Sequence, residues 1–279
     1  MGFTIQTNSL ANTAMRNLDN TEQRVGATIQ KLATGSRIVR ASDDPAGLAV
    51  SDQMTATIRS VYQAQRNAQD AISAMQVFEG GTTEISNMLI RMRELSIQAS
   101  SDTVGDRERS MLNLEVQELK SEIDRLARST SFMGRQLLAG DDIRLEFQVG
   151  VGNDEAKDRI VFDPGRANVT TDGLGLDAID ISQRDEAREG LDALDSALVT
   201  VNELRAKIGS SQNRLQITIN SQGIQAENLI QAKSRIRDAD VAAETTALTR
   251  EMILRQAGVS VLAAANESPK LALQLLGRV

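Results

Sequence analysis

DEAREGLDALDSALVTVNELRAKIGSSQNRLQITINSQGIQAENLIQAKSRIR, residues 185–237, places Leu194, Leu198, Val201, Arg205, Ile208, Gln212, Leu215, Ile219, Gln222, Ala226, Leu229, Lys233 and Ile236 at alternating steps of four and three. That spacing is the seam of a coiled coil. At 1.5 Å per residue the stretch predicts one helix roughly 80 Å long. Arg205, Gln212 and Lys233 sit within the seam, where polar residues set register or meet a neighbouring chain.

Further seams lie on the N-terminal side. Ala11, Met15, Leu18, Glu22, Val25, Ile29 and Leu32 follow the same steps, with Glu22 alone out of character. The run stops at Thr34-Gly35-Ser36, and residues 35–47 read as a connector in which Pro45 pushes Asp44 out of helix. A second seam runs Ala71, Met75, Phe78, Thr82, Ile85, Leu89, Met92, Ser96, Ala99, on a helix placed at 67–100 although helical character resumes near Gly47. Gly80-Gly81 weakens it without stopping it. After a turn at 100–105, a helix over 106–128 carries Leu112, Val116, Leu119, Ile123 and Leu126.

The period changes to two at Ile143, Leu145, Phe147, Val149, Val151, and again at Ile160 and Phe162, which predicts a β-hairpin about residues 143–163. Asp238-Ala239-Asp240 ends the long helix, and a last one runs from about Val241 to Asn266 before Glu267-Ser268-Pro269 and the apolar tail Leu271, Leu273, Leu275, Leu276. The expected fold is mainly α: a long antiparallel helical bundle or coiled-coil rod with a small β-hairpin region and its N- and C-termini paired. Residues 1–44 and 239–279 are expected to form a terminal coiled-coil assembly domain, and 45–238 a middle rod domain. Such Ala-rich ends are thinly apolar for an isolated pair, since most helical stability comes from packing, so they look made for partners.

Composition removes most chemistry. The 279 residues hold no His, Cys or Trp, five Phe and one Tyr. The usual zinc and copper ligands, thiol nucleophiles and the base of a serine triad are therefore missing, and neither an enzyme nor a cofactor is expected. Lys plus Arg number 31 against 38 Asp plus Glu, a net charge of −7, which argues against a nucleic-acid partner. No stretch approaches the roughly 18–20 apolar residues of a membrane span. Met1-Gly2-Phe3-Thr4-Ile5-Gln6-Thr7-Asn8 shows no cleavable secretory signal. Asp43 and Asp44 beside Pro45 read as helix-capping carboxylates rather than metal ligands.

LATGSRIVRASDDPAGLAV at 32–50 resembles the flagellin segment of the form L-S-S-G-x-R-I-N-x-A-x-D-D-A-A-G-x-A. RMRELSIQAS at 91–100 and SRIRDADVAAETTALTREMILRQAGVSVLAAAN at 234–266 resemble flagellin blocks too, so the likeness reaches from Ile5 to Leu276. Ala33-Thr34-Gly35 in place of Ser-Ser-Gly, Ala264 in place of a common Gln, and the ending Leu-Leu-Gly-Arg-Val depart from the pattern. The continuous match through 91–100 favours flagellin over the hook-filament junction protein, which resembles it at both ends. The short innermost part implies a minimal flagellin without outer variable domains.

The resemblance implies a structural subunit that polymerises into the bacterial flagellar filament for motility, in an extracellular filament, with sheathed or periplasmic forms open. It implies export of unfolded monomers through a channel, ends that order on assembly, and head-to-tail contacts between copies. The expected assembly residues are Leu18, Val25, Ile29, Leu32, Val241, Leu248, Val261 and Leu262. Implied partners are other copies, a flagellar export chaperone, the filament cap and the hook-filament junction proteins. Arg91, Leu95, Gln98 and Glu115 match positions used by flagellins that the flagellin-sensing Toll-like receptor recognises, and the first three are expected on one helical face that also packs between subunits. Ser129, Thr130, Thr170 and Thr171 are hydroxyl residues of the kind that could accept glycans in this family, and the sequence does not decide whether they do.

Overall fold

The computed structural model describes residues 8–140, 144–163 and 168–276, with 268–276 described by backbone only. Ile143, expected at the head of the hairpin, and the stretch Met1–Thr7 lie outside the described residues. The protein is mainly helical and forms two compact units: one from the residues up to Ala56 with those from Asn228 onward, the other Thr57–Glu227.

In the first unit, α1 (Ser9–Thr34) pairs with α6 (Val241–Leu276). Asn8 Oδ1 caps α1 by accepting from Ala11 N, and Gly35 ends it at φ 65°, a left-handed conformation suited to glycine. Thr21, Val25 and Thr28 are buried, with Ala11, Ala14 and Leu18 half-buried in line with them. The seam thus runs through Ala14, Thr21 and Thr28, whereas Met15, Glu22 and Ile29 face outward. Adjacent positions border one apolar stripe, and a two-helix pair is satisfied by its smaller side chains, which allow close approach.

The connector is shorter and more ordered than expected. Asp44 Oδ1 accepts from Gly47 N, so α2 (Pro45–Ala99) begins at Pro45, the favoured first helical position for proline. Asp43 Oδ2 accepts from the backbone of Val39 and Arg40, and those two bonds hold its carboxyl below the usual range. The strand-like residues beside Gly35 pair with the end of α5 (Arg184–Arg237): Ser36 bridges Asp238, Arg37 N donates to Arg237 O at 2.6 Å, and Ala239 N donates to Gly35 O at 2.9 Å. Ile38 is 2% exposed beneath them.

The helix α6 does not stop at Asn266 but passes through Pro269 to Leu276. Proline lacks the N–H that would bond to the carbonyl four residues earlier, that of Ala265. Asn8 Nδ2 donates to that carbonyl at 2.8 Å, so one side chain both caps α1 and satisfies the acceptor Pro269 leaves open.

The second unit is built on α2, α3 (Asp106–Ser129) and α5. The seam expected on α2 is buried throughout, from Ala71 at 1% to Met75, Phe78, Thr82, Ile85, Leu89, Met92, Ser96 and Ala99 at 0%. Yet α2 is a single 55-residue helix rather than one starting at 67, and Val61, Ala64 and Ala68 extend the seam backward. Antiparallel pairing of α2 with α5 is marked by Arg93–Asp195 at 2.6 Å, Gln212–Glu79 at 2.9 Å and Gln65 to the Ile219 carbonyl at 3.2 Å. On α5 the buried line is Leu194, Ala197, Val201, Leu204, Ile208, Ser211, Leu215, Gln222 and Ala226. Leu204 and Ser211 replace the expected Arg205 and Gln212, whose polar ends stay at the margin.

α3 covers only the far part of α2. Beyond it, β1 (Ser131–Phe132) and β2 (Arg135–Gln136) form a tight hairpin, and β3 (Leu145–Gln148) pairs antiparallel with β4 (Arg159–Phe162), opposing Leu145 to Phe162 and Phe147 to Ile160. The β3–β4 connection holds a single helical turn, α4 (Glu155–Asp158). Phe162 meets Phe78 edge-on at 5.4 Å, which docks the hairpin on α2. Val151, in the expected alternation, is 49% exposed past the strand end. An irregular segment from Asn168 to Ile181 then lies along α3, burying Val169, Leu174, Leu176 and Ile181 and bonding Thr171 to both Asp124 oxygens.

Candidate functional site

Two surfaces hold the expected functional residues. On the terminal pair, Thr28 Oγ1 donates to Glu251 at 3.1 Å and Lys31 lies 3.6 Å from Glu244, fixing an antiparallel register. Leu18 packs over Gly258, where a Cβ would stand 3.4 Å from its Cδ1. Val25 is buried, while Leu18, Leu32, Leu248 and Leu262 are half-buried. Ile29, Val241 and Val261 are 49%, 61% and 59% exposed. A pair of helices covers one stripe of each, so the remaining apolar residues are left uncovered among the described residues. Met252, Ile253 and Leu254 are consecutive, point in three directions about α6, and are all exposed. The α6 surface is therefore apolar around most of its circumference.

The second surface lies where α2 meets α3. Arg91 Nε donates to Glu115 at 2.8 Å and its Nη1 to Glu94 at 3.2 Å, and these bonds, that to Glu115 foremost, raise the guanidinium pKa further. Gln98 is exposed. Leu95, four residues after Arg91 and three before Gln98 on the same helix, is 1% exposed and belongs to the core rather than to the surface. It lies between Arg91 and Gln98 as its spacing requires, and being apolar at the margin of the Met92–Ser96–Ala99 stripe it is buried where they are exposed. Thr170 and Thr171 are likewise buried, at 8% and 4%, whereas Ser129 is exposed.

Two family models match the chain: the bacterial flagellin N-terminal helical region over residues 5–142 and the bacterial flagellin C-terminal helical region over 191–276. The chain belongs to the flagellin family. It is 40% identical over 272 residues to the flagellin of Halalkalibacterium halodurans, covering 98% of this chain and 99% of that one. It is 36% identical over 283 residues to the flagellar filament 33 kDa core protein of Treponema phagedenis, with coverage of 98% and 99%. The crystal structure of Bacillus cereus flagellin superposes with a TM-score of 0.50 at 31% identity, over 56% of this chain and 88% of that one. As a flagellin the chain is a structural subunit of the bacterial flagellar filament that self-polymerises, not an enzyme. Among the described residues no helix is long and apolar enough to cross a membrane.

Sequence reasoning missed the pairing of residues 35–37 with 237–239, the Asn8–Ala265 bond and the segment laid along α3. Each depends on a backbone group or a single polar side chain meeting a partner far away in sequence. None of these has a period to reveal it.

Proposed function

We propose that residues 1–44 and 239–279 are the assembly domain of this flagellin and residues 45–238 its middle domain. Leu18, Val25, Leu32, Leu248 and Leu262 hold the two ends together, and Ile29, Val241 and Val261 meet neighbouring copies in the filament. The observation that carries this is the uncovered apolar surface on both terminal helices, including Leu10 at 67%, Met15 at 57% and Ile253 at 64% exposure. Surface of that kind marks an interaction site. Deleting residues 1–34 or 240–279 leaves a folded middle domain that forms no filaments; a truncated chain that still polymerises refutes the assignment.

The same surface suits a flagellar export chaperone before assembly, and the filament cap and hook-filament junction proteins at the ends of the polymer, with the filament itself extracellular. Recognition of the monomer by the flagellin-sensing Toll-like receptor would use the exposed Arg91, Gln98 and Glu115, with Leu95 supporting them from the core. Arg91→Ala, Gln98→Ala and Glu115→Ala monomers should each signal less than the unaltered protein in receptor-bearing reporter cells, and equal signalling by all three sets this reading aside.

A further inference from the structure

Sulfur enters this chain only as methionine: there are nine Met and no Cys, and neither Trp nor His shares the oxidisable surface. The structure sorts the thioethers by depth. Met75 and Met92 are closed into the α2 core at 0% exposure, whereas Met15 on α1 and Met252 on α6 are 57% and 47% exposed. Met111 and Met133 are exposed as well, but they stand on the second unit, away from the terminal helices.

Met15 and Met252 lie on the apolar surface that the terminal pair leaves uncovered. Met15 faces outward in line with Ile29, and Met252 shares a helical face with Val259, one heptad on, and begins the exposed run Met252-Ile253-Leu254. A hydroperoxide meets such a sulfur without any unfolding. The sulfur lone pair attacks one peroxide oxygen, the S–O bond forms as the O–O bond breaks, sulfur gives up two electrons, and the displaced oxygen takes a proton and leaves as water or an alcohol. The product sulfoxide is polar and accepts hydrogen bonds. Aliphatic neighbours offer it no donor, so burying it costs free energy that burying a thioether does not.

We propose that Met15 and Met252 are oxidation sites that control assembly: their sulfoxides, formed on the free subunit by a hydroperoxide, stand where another copy must close over the terminal helices and so block addition until they are reduced. This rests on the assembly reading of the terminal helices and adds a control acting on that same surface.

The test treats purified full-length monomer with dilute hydrogen peroxide and reads each methionine by peptide mass spectrometry. Met15 and Met252 should gain oxygen while Met75 and Met92 do not, and the thermal melt of the monomer should be unchanged. The critical concentration for seeded polymerisation should rise roughly tenfold or more, and return after methionine sulfoxide reductase with dithiothreitol. A Met15→Leu, Met252→Leu chain, compared with its own untreated form, should show no rise. The proposal is overturned if these two methionines resist peroxide, if chains carrying both sulfoxides polymerise at the untreated concentration, or if the leucine variant is inhibited as strongly as the original, which would place the effect at other methionines. Absence of polymerisation by the untreated chain is a separate result: the assembly reading itself then fails, and this control with it.

Discussion

Gly80 and Gly81 are neighbours in the middle of α2, yet the structure assigns them opposite responses to the same substitution. A Cβ built at Gly80 meets nothing within 4 Å. At Gly81 it stands 2.8 Å from Leu138 Cδ1 and 3.0 Å from Thr130 Oγ1. Replacing a helix-interior glycine by alanine gains about 1 kcal/mol in intrinsic propensity at either position. Gly80→Ala keeps that gain. Gly81→Ala must displace Leu138, which is fully buried, and Thr130, whose hydroxyl is bonded to the Leu126 carbonyl at 2.8 Å. Overpacking of this sort costs about 1–3 kcal/mol, which offsets or exceeds the propensity gain. A change of 1 kcal/mol moves the melting midpoint of a unit this size by about 2–4 °C. Thermal unfolding followed by circular dichroism at 222 nm should therefore show Gly80→Ala higher by about 2–4 °C and Gly81→Ala unchanged or lower. Equal upward shifts in both would refute the packing of the 130–138 segment against α2.

Asn8→Ala removes the cap of α1 and the donor to the Ala265 carbonyl together. The expected loss is about 1–2 kcal/mol, read as faster hydrogen exchange at both the start of α1 and the α6 segment around Ala265 in assembled filaments; a change confined to α1 contradicts the shared role. Asp43, Asp102 and Asp195 are held below the usual carboxylate range, Asp43 by backbone N–H donors and the other two by hydrogen bonds from Arg184 and Arg93. Their stabilisation is present above the ordinary carboxyl pKa of about 4 and is lost as the pH falls through their lowered values. The chain has no histidine to titrate nearer neutrality. Melting midpoints of the monomer should stay level from about pH 8 to pH 5 and decline below about pH 4; a step near pH 6 contradicts the account.

Where large apolar residues and helical period coincide, sequence and structure agree residue by residue, as on α2 from Ala71 to Ala99. The agreement loosens where two neighbouring positions border the same stripe. On α1 the larger Met15 and Ile29 drew the seam away from Ala14 and Thr28, because side-chain size says how much there is to bury but not which way a thin two-helix pair turns. On α2 the seam before Ala71 went unread since Ala64 and Ala68 carry little hydrophobic signal although both are buried. The break expected at Pro269 follows from the missing N–H, whereas the helix runs on to Leu276 and Asn8 donates to the carbonyl that Pro269 leaves without its helical partner. Of the candidate residues, Arg91 and Glu115 were singled out by resemblance alone, and neither their ion pair across α2 and α3 nor the burial of Leu95 was legible, since spacing fixes a face but neither its depth nor its partner on another helix. The β1–β2 turn went unseen because Met133 occupies a position where Asn or Gly would have announced it.

The most direct test of the central claim is electron microscopy of the purified full-length chain before and after addition of short filament seeds and a precipitating salt. Long, uniform helical filaments growing from the seeds are the predicted result. A well-folded monomer that gives only short capped oligomers, or none, would contradict the account of this chain as a filament subunit.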